Sequence, residues 1–136
     1  MFNTILLPVD LAHLDEGQKT LDLALSLMGE NTEIILLYVI EEIPNWTDID
    51  LPADFMEKSI QSAREALQSL AAVTDKDIKI EIRSGHAYST ILKDAEAVNA
   101  DLIIMASHKP GLKEYFLGSN ASKVVSHANC SVLVLR

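Results

Sequence analysis

The 136-residue sequence predicts a three-layer α/β fold, in which a five-stranded parallel sheet in the order 3-2-1-4-5 carries helices on both faces. Three observations lead there. Short runs of Ile, Leu and Val alternate with segments whose apolar residues step at three and four, the signature of strand–helix–strand units. The second and fourth of these runs are nearly free of polar residues, as strands covered on both faces must be. Right-handed crossovers then leave few layouts for five such strands, and 3-2-1-4-5 is the one expected.

The first strand spans Thr4 to Val9. The helix after it sets Leu21, Ala24, Leu25 and Met28 on one face and stops at Gly29 and Asn31. Glu33 to Ile40 is the second strand. Residues 41–52, with two prolines and Trp46, form the one long irregular stretch. A long helix follows, marked by Phe55 or Met56, then Ile60, Ala63, Leu67 and Leu70. In the third strand, Ile78 to Arg83, apolar and charged residues alternate, so one face meets water, which suits a sheet edge. Ser84-Gly85 turns the chain into a third helix carrying Ile91, Leu92, Ala95 and Val98. Leu102 to Ala106 is strand four, and a loop runs from Ser107 to about Leu117. The last helix, Ser119 to Ala128, turns Ala121, Val124, Val125 and Ala128 inward, and Val132 to Leu135 is strand five. No repeat or linker divides the chain, so residues 1–136 are expected to be one domain.

Composition narrows the function. With 49% apolar residues the chain can bury a core without staples, and the single cysteine, Cys130, fits a reducing compartment. The start MFNTILLPVD has no basic segment to act as a signal peptide, and no apolar run nears the ~20 residues that span a bilayer. A soluble cytoplasmic protein is expected. A net charge of −9 opposes nucleic acid and anionic membranes as partners. The charge is uneven, however. Residues 1–106 hold 19 acids and 7 bases, whereas from 107 onward Lys109, Lys113, Lys123 and Arg136 face Glu114 alone. A small anion could be welcomed locally by a protein that repels polyanions.

Ligands of such sheets bind at the carboxyl ends of the strands beside the switch point, here between strands 1 and 4. That directs attention to Pro8-Val9-Asp10 and to the segment from Met105 to Ala121. The latter leaves a buried strand, loops with lysines and His108, and enters a helix through Gly118-Ser119-Asn120. A helix start presents unpaired N–H groups and partial positive charge, a seat for phosphate. Gly118 allows close approach and Ser119 offers a hydroxyl, although the same pair is also an ordinary helix cap.

This segment resembles the universal stress protein family, whose nucleotide-binding members carry Gly, two residues, Gly, nine residues, then Gly and Ser or Thr after strand 4. The resemblance extends along the chain. It takes in Ile5-Leu6-Leu7-Pro8-Val9-Asp10, Ile35-Leu36-Leu37-Tyr38-Val39-Ile40, and Gly85 with Ile91-Leu92, where Ala87 stands in place of the usual proline. The run Gly118-Ser119-Asn120-Ala121 through Val124-Val125, His127-Ala128 and Cys130-Ser131-Val132-Leu133-Val134 is most similar to the F-type branch. There are departures. The first two family glycines fall on Ala106 and Lys109, and only the eight residues Pro110 to Leu117 separate Lys109 from Gly118. The F-type branch carries Ala-Ser-His, a basic residue and proline, so the resemblance implies a variant phosphate loop in which Lys109 supplies charge in place of a glycine N–H.

The resemblance implies a Rossmann-like fold of the adenine nucleotide alpha-hydrolase-like kind and ATP as ligand, with any Mg²⁺ carried by the phosphates. Pro8, Val9 and Asp10 would line the adenine and ribose side, with backbone groups of Val39 at the base edge. Ala106, Ser107, His108 and Lys109 would pass the ribose and phosphates, and Gly118, Ser119, Asn120 and Ala121 would hold the phosphates. No catalytic residue or dedicated metal site is expected: the four histidines show no zinc spacing, and Ser107 and His108 point apart as extended neighbours. Trp46 and Tyr38 more simply fill the mouth of the sheet than stack on a ligand. Strand five lacks charge before Arg136, and so apolar an edge invites a homodimer through Val132, Leu133, Val134 and Leu135. The expectation is therefore a non-catalytic ATP-binding regulatory dimer. Its rival is a nucleotide-free dimeric interaction module. A phospho-accepting receiver is discarded, because Arg83-Ser84-Gly85 stands where its aspartate belongs.

Overall fold

A computed structural model describes residues 1–42, 51–107 and 118–136. Five parallel strands, β1 (Thr4–Pro8), β2 (Glu33–Glu41), β3 (Ile78–Gly85), β4 (Leu102–Ala106) and β5 (Ser131–Leu135), lie in the order β3-β2-β1-β4-β5. Between them run a 3-10 turn (Leu11–His13) and the helices α1 (Leu14–Ser26), α2 (Phe55–Ala71), α3 (Ala87–Ala97) and α4 (Ser119–His127). In the register at the centre, Ile5 pairs with Ile34 on one side and Leu102 on the other, and Leu6 with Ile35 and Ile103.

The period-two alternation of β1 divides the core. Ile5 and Leu7 join Leu21 and Ala24 of α1 and Leu67 and Leu70 of α2 on one face. Leu6 joins Ile91 and Ala95 of α3 and Ala121 and Val124 of α4 on the other. Ile5, Leu6 and Leu7 are fully buried, and each such side chain stabilises the fold by about 1.5–3 kcal/mol. That is why the middle of the innermost strand is wholly apolar. At the amino ends of the strands, Asp101 ties β1 to β4. Its carboxylate accepts the amides of Asn3 at 2.8 Å and Thr4 at 2.9 Å, while its own amide donates to Thr4 O at 3.0 Å. Burial pushes this carboxyl up, but the bonds from Asn3 and Thr4 outweigh it and leave it below the usual range.

Local chemistry sets the joints. Gly85 ends β3 at φ 144°, and a Cβ there would stand 2.6 Å from Thr90 Oγ1, so glycine is required where the chain enters α3. Asn99, at φ 55°, ends α3 in the left-handed geometry that asparagine tolerates. The sequence pattern misplaces a few side chains. Val125 is 45% exposed rather than inward, because the stripe that meets the sheet runs through Ala121 and Val124 and leaves its neighbour outside. Phe55 and Met56, at the start of α2, are both exposed, and Met28 lies beyond the end of α1 while still packing on the core. Among the described residues no helix is long and apolar enough to cross a membrane.

Candidate functional site

A cavity of about 380 Å³ opens at the carboxyl ends of β1 and β4, the point where the strand order reverses. Its size is within the range of small-molecule sites. β1 and the residues after it contribute Pro8, Val9 and Asp10, and β2 contributes Leu37, Tyr38, Val39 and Glu41. Met105 and Ala106 close it from β4, and Gly118, Ser119, Asn120 and Ala121 from the start of α4. Nine of the twelve residues expected from sequence thus line one cavity. Ser107 is not among the lining residues, and His108 and Lys109 are outside the described residues, as are Trp46 and the rest of the loop.

The start of α4 is the most distinctive wall. Gly118 precedes the helix at φ −59° and ψ 153°, a conformation open to any residue, and a Cβ built on it would meet no described atom within 4 Å. Among the described residues nothing occupies the space beside it. Ser107 fixes this turn: its Oγ accepts the Gly118 amide at 3.0 Å, and its own amide donates to Leu135 O at 2.8 Å. With no side chain, Gly118 cannot cap the helix, so the amides of Ser119, Asn120 and Ala121 begin α4 without a side-chain acceptor from the cap position. Their partial positive charge is available to an anion.

The opposite wall comes from a helix that sequence reasoning did not implicate. His13, Glu16, Gly17 and Thr20 line the cavity from the 3-10 turn and α1. Gly17 lets this helix lie close: a Cβ there would stand 3.2 Å from Val9 Cγ1 and 3.3 Å from Leu70 Cδ2. Small residues at Gly17 and Thr20, one turn apart on the face next to Val9, are the signal that could have revealed it. Asp10 is oriented locally, its Oδ1 accepting the Ala12 amide at 2.9 Å to cap the 3-10 turn. Glu41 also faces the cavity; its Oε1 accepts the Ala87 amide at 3.3 Å, which seats the first turn of α3.

Asp10, Glu16 and Glu41 give the described lining an acidic cast, and no lysine or arginine is among the described lining residues. Tyr38 registers this field. Burial first, then the charges of Asp10 and Glu41, push its phenol above the usual value, so it stays protonated as a donor. Outside the cavity, Lys123 Nζ sits 4.6 Å from the centre of the Tyr88 ring, and His86 meets that ring edge-on at 5.1 Å. Cys130 is free and apart from the cavity, and burial followed by the Asp101 charge raises its thiol. Among the described residues no three His, Cys, Asp or Glu side chains gather to hold a metal ion.

Fold and cavity define a doubly wound α/β protein with a cavity at its switch point. The profile of the universal stress protein family matches residues 1–136, and the chain belongs to that family. It is 32% identical over 142 residues to Universal stress protein G of Escherichia coli O157:H7, covering all of both chains. Among solved structures it is similar to hypothetical protein MJ0577, with a TM-score of 0.81 and 29% identity over 99% of this chain and 96% of that one. A universal stress protein solved in complex with cAMP shares the fold, at a TM-score of 0.71 and 20% identity over 99% of this chain and 97% of that one.

Proposed function

We propose that this stress-class protein binds an adenine nucleotide, ATP, in the switch-point cavity and acts in the cytoplasm as a regulatory homodimer rather than a catalyst. The observation that carries the reading is the glycine-headed start of α4, whose amides open onto space that a single Cβ at Gly118 would enter. The base and ribose would lie along Pro8, Val9, Asp10 and Val39, and the phosphates would lie on Ser119, Asn120 and Ala121, near Ala106. That a protein of this fold is found with cAMP supports an adenine nucleotide as the class of ligand. A divalent ion fits as a passenger of the phosphates: Asp10, Glu16 and Glu41 favour a nucleotide whose charge is partly neutralised. No residue is assigned to catalysis. Dimerisation would use β5, where Val132, Leu133, Val134 and Leu135 remain half-buried at the end of the sheet.

The acidic lining favours a second reading, a nucleotide-free dimeric interaction module. Equilibrium binding of a fluorescent ATP analogue with magnesium separates the two. Saturable binding is expected, and none up to millimolar nucleotide would remove the first reading. Gly118→Val should weaken binding by about a hundredfold or more (~2.8 kcal/mol) with helicity unchanged by circular dichroism. The fold should tolerate valine, because its backbone is already extended there and its Cβ meets none of the described residues. Wild-type affinity in that variant would put the phosphates elsewhere.

A further inference from the structure

The charged face of β3 is not simply solvated. Glu81 pairs in register with Leu37 and so projects from the face of the sheet that α3 covers. α3 brings Asp94 to this face, its side chain only 4% exposed although it stands on a surface helix. Arg83, two residues along the same strand, reaches both: its Nε lies 3.3 Å from Asp94 Oδ1, and its Nη2 lies 3.4 Å from Glu81 Oε2. One guanidinium therefore serves two carboxyl groups. Glu81 Oε2 and Asp94 Oδ2 are both shut off from solvent, and neither makes a hydrogen bond among the described residues, since Arg83 Nη2 reaches Glu81 Oε2 only as an ion pair. Two ionised carboxylates could offer each other only acceptors, leaving one negative charge unbalanced beside two oxygens that water does not reach.

We propose that Glu81 and Asp94 form a proton-binding site, in which one shared proton, beside Arg83, fastens α3 to β3, and whose emptying loosens the α3 wall of the cavity. With the proton on Glu81, its hydroxyl donates to Asp94, and the remaining carboxylate balances Arg83. The hydrogen bond to Asp94, then burial, then the Asp94 charge push the Glu81 carboxyl up to about 7, while Arg83 pulls the other way. The other charges about Glu81 reinforce this. Glu33 of β2 raises it, and Lys79, the remaining cation on this face of β3, is held by Glu33 at 2.7 Å. α2 packs across the sheet, on the side of Ile78, Ile80 and Ile82, so its charges are not in the site. The consequence for the cavity is geometric. Asp94 follows Ile91 by one helical turn, and Ile91 and Ala87 line the cavity. The loosening would follow whatever fills that cavity.

The direction of the pH effect follows from linkage. Between the ordinary carboxyl value of 4.5 and about 7, the folded protein holds a proton that the unfolded chain has released. The stabilisation is complete below the lower value and gone above the upper one. Urea unfolding of wild type and Glu81→Gln should be compared from pH 5 to 8, because the amide donates to Asp94 at every pH. The unfolding constant of wild type should rise relative to the variant by about tenfold or more across that range. Parallel curves would overturn the proposal. If the variant does not fold, carbon-13 titration of the Glu81 carboxyl in wild type decides. A midpoint near 7 that falls in Asp94→Asn supports the site, and a midpoint in the ordinary carboxylate range overturns it. Hydrogen exchange of the α3 amides, corrected for intrinsic rate, should accelerate from pH 6 to 8 in wild type alone; equal behaviour in Glu81→Gln would refute the loosening. Restoration of wild-type stability at pH 8 by millimolar Ca²⁺ or Mg²⁺ would make this a cation site and overturn the proton reading.

Discussion

The two edges of the sheet face the same hazard with opposite chemistry. β3 alternates Ile78, Ile80 and Ile82 with Lys79, Glu81 and Arg83, so its apolar side chains turn inward on α2 while its charges guard the other face. β5 has no charge from Val132 to Leu135, and its residues stay half-buried with Val125 exposed on the helix that leads into it. An edge strand offers unpaired backbone groups to any neighbour. A guarded edge ends a sheet, whereas an unguarded one is suited to continue into another copy. On the proposed dimer, the difference gives each edge a separate task.

Three substitutions test that division, beginning with the largest effect. Val134→Asp places a charge on the unguarded edge and should weaken the proposed dimer about a hundredfold or more (~3 kcal/mol), read by sedimentation across a dilution series. An unchanged dimer would move the interface away from β5, and a monomeric wild type at micromolar concentration would remove it. On the guarded edge, Arg83→Met takes the shared cation from Glu81 and Asp94. A cost of about 1–2 kcal/mol is expected at pH 8, below that of a fully buried pair because the guanidinium is half exposed, and a smaller cost at pH 5. A cost independent of pH would mean that Arg83 acts through packing alone. Lys79→Ala should leave the urea midpoint unchanged within error, because its bond to Glu33 is a solvent-screened surface pair. A clear loss there would show that the guard on β3 contributes to the fold.

Much of this architecture was legible in the residues. Strand order followed from alternation and handedness, and the edge position of β3 from its period-two charges. The strand ends that meet the cavity, Pro8 to Asp10 and Met105 to Ala106, followed from the switch-point rule. What escaped depends on tertiary placement. Gly17 reads as a weak helix residue until Val9 and Leu70 are seen against it. Glu41 reads as a solvated acid until its bond to Ala87 puts it at the cavity. Val125 and Val124 are chemically alike, and only the angle at which α4 meets the sheet separates the exposed one from the buried one. The Glu81–Asp94 pair needs a strand face and a helix face together, across 13 residues of chain that carry no shared motif.

The tie that Asp101 makes to Asn3 and Thr4 bears on how the polypeptide is assembled. β1 is the innermost strand, yet one of its two neighbours, β4, begins only at Leu102. On the ribosome, Ile5, Leu6 and Leu7 therefore wait with one side open while β2 and β3 are made, a period in which nascent chains are prone to stick to one another. The carboxylate just ahead of Leu102 meets the two amides at the entry to β1, a pair of bonds that cannot form until the late strand arrives. Acid that protonates Asp101 would slow this closing step of refolding before it disturbed the finished protein.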